Sequence, residues 1–376
     1  MLRKTDNLFH PFEIAVCGLS GSGKTTLLTG VLRHFRQSGH EPAYFKHGCH
    51  RFDIDREGKD SFRAAEAGAV SVMIADPDKE ALISSGSGSI TQSPATLACD
   101  ILFIEGLKEL PTAKLLLVDA RGAILPLLDN GVVRNVIALV HENHPTGLER
   151  FGLPVFHRNE VAEIASFIEG HLAERASKVP LYGLVLAGGR SSRMGTDKAL
   201  LNYSHQNQLA ATASLLAGVC GRVFVSCRQE QADGYDLFGW TAITDAYLDM
   251  GPMGGLLTAQ RCHPDAAWLV AACDFPHMDG RTPAALVAAR NPFRFATAFH
   301  QPGNERPEPL FTIYEPKSRL PLLRQHGTGN DSLSSFLMHS RIAAIEPADP
   351  AGLRNINDRE AMELALKAMR RNQSPC

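Results

Sequence analysis

The sequence predicts an α/β protein of two domains. Three observations carry that expectation. The chain has 376 residues, and one hydrophobic core rarely grows past roughly 250–300 residues. Two apolar runs, Phe12–Cys17 and Gly183–Ala187, each lead directly into a glycine-rich loop that carries cationic side chains, as strands of a parallel sheet buried on both faces do before a phosphate-binding turn. Other apolar runs end in a single acid, at Glu105, Asp245 and Asp274, and open α/β sheets bind their ligands outside the carboxyl ends of the strands.

Composition narrows the class. Hydrophobic residues make up 44% and charged residues 21%, which is ordinary for a soluble globular protein. The formal net charge of −2 supplies no basic field for nucleic acid or an anionic membrane. Eight cysteines occur with no CxxC and no regular spacing. Cys17, Cys99 and Cys273 sit in apolar runs, where a thiol behaves as a small buried hydrophobe, so reduced thiols in a cytoplasmic protein are expected. The opening residues MLRKTDNLFHPFE contain no apolar h-region, so no signal peptide is expected. No apolar run reaches the ~18 residues of a membrane span.

The first domain is expected over residues 1–176. Strand Phe12–Cys17 runs into Gly18-Leu-Ser-Gly21-Ser22-Gly23-Lys24-Thr25-Thr26, which is the pattern G-x-x-x-x-G-K-[ST] of a P-loop. Its backbone N–H groups cradle phosphates, Lys24 reaches the β/γ oxygens and the Thr25 hydroxyl ligates Mg²⁺. Leu27, Leu28, Val31, Leu32 and Phe35 make one helical face, and Gly39 stands where a helix-ending C′ residue belongs. The polar stretch that follows holds His47, His50, Asp53, Asp55 and Asp60, and reads either as a metal-facing loop or as solvated loop chemistry. Asp60 alternatively caps a helix over Ser61–Ala67. Cys99–Glu105 is an apolar strand ending in an acid, the Walker-B arrangement with Glu105 as the metal-facing carboxylate. Leu115–Val118 and Val136–Val140 read as strands, and Val161, Ile164, Ala165, Ile168 and Leu172 as a closing amphipathic helix. Residues His171–Pro180 turn polar and basic and read as the linker.

The second domain, residues 177–376, opens on the stretch Leu186–Lys198, LAGGRSSRMGTDK. Gly188 and Gly189 let backbone N–H groups approach an anion with no Cβ in the way. Arg190, Arg193 and Lys198 put three cations in one loop, which suits a triphosphate. A helix over Gln208–Val219 and strands Arg222–Ser226 and Trp240–Thr244 follow. The last of these delivers Asp245 at its carboxyl end, with Asp249 as the nearby competitor. Gly254 and Gly255 open a helix over Leu256–Arg261, where they serve either close approach to a nucleotide or a tight turn. Strand Trp268–Ala272 ends at Cys273-Asp274, a carboxylate suited to a hard cation.

The stretch LAGG-x-S-x-RMG-x-DKALL resembles the signature of the molybdenum cofactor guanylyltransferases (MobA-like proteins). GP-x-[AG]G at Gly251–Gly255, CD-x-P at Cys273–Pro276 and [RH]-x-x-P-L-[FY] at Arg306–Phe311 extend the resemblance. It implies a Rossmann-like nucleotidyltransferase domain of the nucleotide-diphospho-sugar transferase type, which moves GMP from GTP onto a pterin phosphate. It further implies nucleotide contacts at Leu186, Ala187, Gly188, Gly189, Lys198, Asp245, Gly254, Gly255 and Asp274. Arg193 and Lys198 would stabilise pyrophosphate charge, and Asp274 would hold Mg²⁺. Asn355-Ile-Asn357-Asp358 resembles the family's N-x-N-[TD] element and offers donors and acceptors to a pterin or ribose. Asn357 or Asp358 equally suits the N-cap of a helix over Arg359–Arg371. Ser226-Cys227-Arg228 departs from the family, whose members commonly carry asparagines near the guanine.

Residues 12–172 resemble the MobB family on GxSGSGKTTLL, KH-x-x-H, FDID-x-x-GKDS, AGA and IEGLK. That resemblance implies GTP binding by Gly18, Gly21, Ser22, Gly23, Lys24, Thr25 and Thr26, an accessory role beside the transferase, and homodimerisation through this domain. A Ser/Gly-rich loop stands between Leu82 and Asp100 where the family has a longer helical insertion. The combined expectation is a cytoplasmic fusion that uses GTP, molybdopterin and Mg²⁺ and serves molybdoenzyme apoproteins and their chaperones. The alternatives are a cytidylyltransferase of the same cofactor, a sugar-phosphate nucleotidyltransferase and a non-catalytic adaptor.

Overall fold

The computed structural model describes residues 10–46, 55–84, 95–143, 145–187, 208–229, 231, 239–273, 275, 277–301 and 303–353. The chain divides into two compact units, Met1–Leu172 and Ala173–Cys376. The polar stretch read from sequence as a linker is helical through Ser177, since the helix Val161–Ser177 runs on into it and still buries Ala176.

The strands of the first unit are β1 (Glu13–Gly18), β2 (Pro42–Lys46), β3 (Ser71–Ala75), β4 (Glu80–Ser84), β5 (Ile101–Glu105), β6 (Lys114–Val118), β7 (Val136–His141) and β8 (Val155–His157). Six of them form one sheet in the order β2-β5-β1-β6-β7-β8, with every pair parallel. β3 and β4 pair antiparallel as a separate ribbon. The central strands β5 and β6 are buried along their whole length, which is why they read as unbroken apolar runs. β2 lies at the edge and starts with Pro42, where a missing N–H costs no ladder bond.

The helix Lys24–Gln37 buries Leu27, Leu28, Val31 and Phe35 of the expected face, while Leu32 at its margin is only half-buried. Phe35 meets Phe103 of β5 edge-on at 5.2 Å. Gly39 takes φ 82° just past the helix end, as a C′ residue should. The next helix departs from the expected pattern. Lys59 holds the N-cap position of the helix Asp60–Glu66, and Asp60 is its first residue. There its charge faces the positive end of the helix dipole instead of capping an N–H. Lys114 begins β6 fully buried, and its ammonium donates to the carbonyls of Leu110 (2.5 Å) and Arg134 (2.7 Å). Those bonds offset the cost of burying the charge.

The second unit carries β9 (Leu181–Leu186), β10 (Arg222–Cys227), β11 (Thr241–Thr244), β12 (Ala267–Ala272), β13 (Ala296–His300), β14 (Pro307–Tyr314) and β15 (Ala343–Ile345). Their order is β11-β10-β9-β12-β14-β13-β15. β9 to β12 run parallel, and β14 is antiparallel to both β12 and β13. The chain moves outward from β9 to β11 and then returns to the other side of β9 as β12. The strand order therefore reverses at β9, and the crevice at the carboxyl ends of β9 and β12 is the binding position of such sheets. Apolar cores cover both faces of the sheet. The ion pair of Arg290 with Glu315, bidentate at 2.7 and 2.9 Å, ties the end of a helix to the end of β14.

The helix expected over Leu256–Arg261 begins one turn earlier and spans Pro252–Cys262. Pro252 suits the first helical position, where its missing N–H is no loss. Gly254 and Gly255 are therefore inside the first turn and buried, and of this segment's glycines it is Gly251 that takes a positive φ of 56°.

Candidate functional site

The first candidate site lies where β1 meets the helix Lys24–Gln37. Gly23 holds the N-cap position at φ 86°, and among the described residues no side chain caps the helix. The leading N–H groups therefore stay open to an anion. The Lys24 ammonium donates to the carbonyls of Gly18 (3.3 Å) and Leu19 (2.8 Å) within the loop. The Ser22 hydroxyl is buried without a hydrogen-bond partner among the described residues, and a buried unpaired hydroxyl marks a place for a polar ligand. Gly18, Gly21 and Thr26 complete the loop as the sequence predicts. Cys17, just before it, is inert, because burial pushes its thiol up to about 11.

Glu105 stands at the centre of a four-residue network. Its Oε2 accepts from the Thr25 hydroxyl at 2.8 Å and from the Tyr44 hydroxyl at 2.7 Å. Its Oε1 lies 3.1 Å from the Lys46 ammonium. Burial acts to raise the pKa of Glu105, but the hydrogen bonds from Tyr44, Thr25 and Lys46 outweigh it and hold the carboxyl below its ordinary value. Burial and the bond to Glu105 raise Tyr44 correspondingly. The donor set suits Mg²⁺. Thr25 gives its proton to Glu105 and keeps its lone pairs for a cation, and both groups present the hard oxygens that Mg²⁺ requires.

A cavity of about 120 Å³ adjoins the loop, lined by Gly21, Ser22, Asp119, His141, Glu142 and Arg158 among others. Arg158 Nη1 donates to Glu142 Oε2 at 2.7 Å, and its guanidinium lies 3.2 Å from where a Cβ on Gly23 would stand. Asp119 accepts backbone N–H bonds from Arg121, Ala123 and Ile124. These outweigh the opposing effect of burial and lower its pKa. Sequence reasoning missed Tyr44, Lys46, Asp119, Glu142 and Arg158. All but Tyr44, the middle residue of β2, end a parallel strand or directly follow one, and that position was the signal available.

The histidine-rich stretch is described from Asp55 onward. His47, His50 and Asp53 lie outside the described residues. Asp55 accepts from the Arg56 N–H (2.9 Å) and the Ser61 hydroxyl (2.8 Å), which is local turn chemistry. Among the described residues no three His, Cys, Asp or Glu side chains cluster as metal ligands.

The second candidate site lies at the carboxyl ends of β9, β10 and β11. Leu186 ends β9, paired with Ala272 of β12, and the Ala187 N–H donates to the Ser226 carbonyl at 3.0 Å. The Asp245 N–H donates to the Cys227 carbonyl at 2.9 Å, and its carboxylate accepts from the Ser226 hydroxyl at 2.6 Å. Burial raises the pKa of Asp245, with Ser226 and Arg228 opposing. Asp249, the competitor, sits in a turn at φ 60°. A Cβ on Gly255 would stand 2.4 Å from Ser226 Oγ, and one on Gly254 would stand 2.4 Å from the Tyr247 carbonyl oxygen. These two glycines thus let the helix Pro252–Cys262 pack directly on the strand ends that carry Asp245. Gly188, Gly189, Arg190, Arg193, Lys198, Asp274, Asn355 and Asn357 lie outside the described residues.

Comparison with known proteins follows the same division. Residues 13–142 match the family model of molybdopterin guanine dinucleotide synthesis protein B, and residues 183–344 match the MobA-like NTP transferase domain. A molybdenum cofactor biosynthesis bifunctional protein of Synechocystis sp. is 34% identical over 184 residues, covering 49% of this chain and 53% of that protein. The match thus spans about half the length of that relative. A molybdopterin-guanine dinucleotide biosynthesis adapter protein of Haemophilus influenzae is 33% identical over 171 residues, 42% of this chain and 88% of the relative. A molybdenum cofactor guanylyltransferase of Cupriavidus metallidurans is 26% identical over 196 residues, 50% of this chain and 95% of the relative. The chain belongs to the molybdenum cofactor biosynthesis proteins, joining a MobB-family P-loop domain to a MobA-like nucleotidyltransferase domain.

Proposed function

We propose that the second unit transfers GMP from GTP to molybdenum-bearing molybdopterin. A phosphate oxygen of the pterin attacks the α-phosphorus, the new P–O bond forms, and the bond to the leaving pyrophosphate breaks. The nucleophile is already ionised at pH 7, so catalysis is mainly positioning and charge neutralisation. The observation that carries this reading is the LAGGRSSRMGTDKALL stretch, which follows the central strand β9 at the reversal of strand order. Asp245 there is a nucleotide-binding residue, Arg193 and Lys198 neutralise charge on the leaving pyrophosphate, and Asn355 and Asn357 hold the pterin side. Asp274 is the ligand of Mg²⁺, which supplies charge neutralisation at the phosphates.

The first unit binds GTP as an accessory domain in this reading, with Thr25 and Glu105 facing Mg²⁺ and the cavity between Asp119 and Arg158 taking the nucleoside. The β3–β4 ribbon and the residue before it support a homodimer through this unit, since Val70, Met73 and Leu82 expose 76%, 63% and 66% of their surface. Among the described residues no helix is long and apolar enough to cross a membrane. The cofactor chemistry supports a cytoplasmic site of action with molybdoenzyme apoproteins as recipients. A cytidylyltransferase is the second reading, favoured by Ser226-Cys227-Arg228 in place of asparagines. The test is pyrophosphate release by the full chain with purified molybdopterin and either GTP or CTP. Lys24→Ala should spare transfer. A loss beyond about a hundredfold, about 2.7 kcal/mol, would make the P-loop part of the transfer mechanism.

A further inference from the structure

Lys46 is the last residue of β2 and the direct neighbour of Glu105 in the β2–β5 ladder. The register therefore brings an ammonium and a carboxylate together at the carboxyl end of the sheet, beside the P-loop. The two oxygens of Glu105 are used differently. Oε2 is occupied by the hydroxyls of Thr25 and Tyr44, while Oε1 faces Lys46 at 3.1 Å. The two partners also differ in exposure: the Glu105 side chain is 6% exposed and that of Lys46 is 54% exposed.

A carboxylate this buried requires a counter-charge. Lys46 supplies it through a side chain that can swing into water at small cost, because its stem is flexible and half its surface is already wet. Thr25, one hydrogen bond from the same carboxylate, has lone pairs free for a hard cation. A divalent ion taken up there puts a second positive charge on a group already neutralised, and like charges at such separations oppose one another.

We propose that the Lys46 ammonium is the internal counter-ion of Glu105 in the metal-free P-loop and is displaced when a divalent cation arrives with nucleotide. Lys46 thereby sets the metal affinity of the first unit. The inference rests on the reading of this unit as a GTP and Mg²⁺ site. It assigns Lys46 a positioning role in ion exchange and no contact with the reacting atoms.

The experiment titrates the full chain, saturated with GDP, with Mn²⁺ and counts free Mn²⁺ by electron paramagnetic resonance. Lys46→Gln, which removes the charge and keeps most of the stem, should tighten one class of Mn²⁺ site at least about tenfold. Lys46→Arg should retain wild-type affinity. The gain should vanish when Lys46→Gln is combined with Glu105→Gln, which assigns the affected site to the first unit. Calorimetric unfolding verifies that each variant is folded. Unchanged or weakened Mn²⁺ affinity in folded Lys46→Gln overturns the proposal, because the lysine then stays on the acid in the loaded state. Fluorescent GTP binding separates this outcome from failure of the underlying reading. If Lys24→Ala leaves every class of GTP site intact, the nucleotide reading of the first unit is wrong. If it removes one class while Lys46→Gln leaves Mn²⁺ affinity unchanged, the counter-ion proposal alone fails.

Discussion

Replacing Gly254 by alanine sets helix propensity against packing, with opposite signs. Gly254 is in the first turn of the helix Pro252–Cys262. Propensity alone predicts stabilisation, since alanine in a helix interior is about 0.8–1.0 kcal/mol better than glycine. The structure predicts the reverse. The new Cβ would stand 2.4 Å from the Tyr247 carbonyl oxygen and 3.4 Å from Met250 Cβ. A backbone oxygen cannot rotate away as a side-chain tip can, so the helix start and the 245–250 turn must separate. Overpacking of this kind costs about 1–3 kcal/mol or more. The same shift strains the bonds of the Thr258 hydroxyl, which donates to the Gly254 carbonyl (2.8 Å) and accepts from the Ala246 N–H (3.0 Å). Ala246 is next to Asp245, so transfer activity should fall together with stability. Calorimetry and urea unfolding followed by Trp fluorescence measure the effect, because Trp240 and Trp268 both lie in the second unit. Gly170→Ala is the control: it is a helical glycine with nothing within 4 Å of the added Cβ, and it should gain about 0.5–1 kcal/mol in the first unit. If Gly254→Ala stabilises the second unit as Gly170→Ala does the first, the packing argument is wrong.

Further expectations concern chemistry. Asp274→Asn should leave the fold intact and nearly abolish pyrophosphate release, because an amide lacks the charge that holds Mg²⁺; near-normal kcat at saturating Mg²⁺ removes that assignment. Lys198→Ala should lower kcat/KM by about 2–4 kcal/mol in transition-state terms, and a change below about threefold in steady-state kinetics would make it a surface charge only. Burial raises the pKa of Asp245 in the folded protein, so the native state binds more protons than the unfolded chain between the ordinary and the raised value. The stability of the second unit should therefore decline as pH rises through that interval. Asp245→Asn should flatten this decline in urea midpoints measured across the acid range, and an unchanged slope would assign it to other groups. Cys17, with a thiol pushed up to about 11, should resist iodoacetamide at pH 8 while the exposed Cys262 is alkylated, as peptide mass spectrometry would reveal.

Where the chemistry is written in consecutive residues, the sequence alone determined the outcome. The run from Glu13 through Gln37 is strand, phosphate loop and helix in one unbroken segment, and its buried face follows from spacing alone. The same holds for the strand that ends at Glu105, since a strand buried on both faces must be apolar until it leaves the sheet. Tertiary structure decided which side chains those ends bring together. Lys46 and Glu105 are adjacent through sheet register, and Thr25 reaches the same carboxylate from 80 residues away in the chain. Glu142 and Arg158 meet because β7 and β8 are parallel neighbours. Parallel strands are joined by long crossovers, so their neighbouring ends are distant in sequence and leave no local pattern to read. Gly254 and Gly255 belong to the same class: the sequence offered close approach to a nucleotide or a tight turn, and only the packing of a helix against Tyr247 and Ser226 shows why no Cβ fits there.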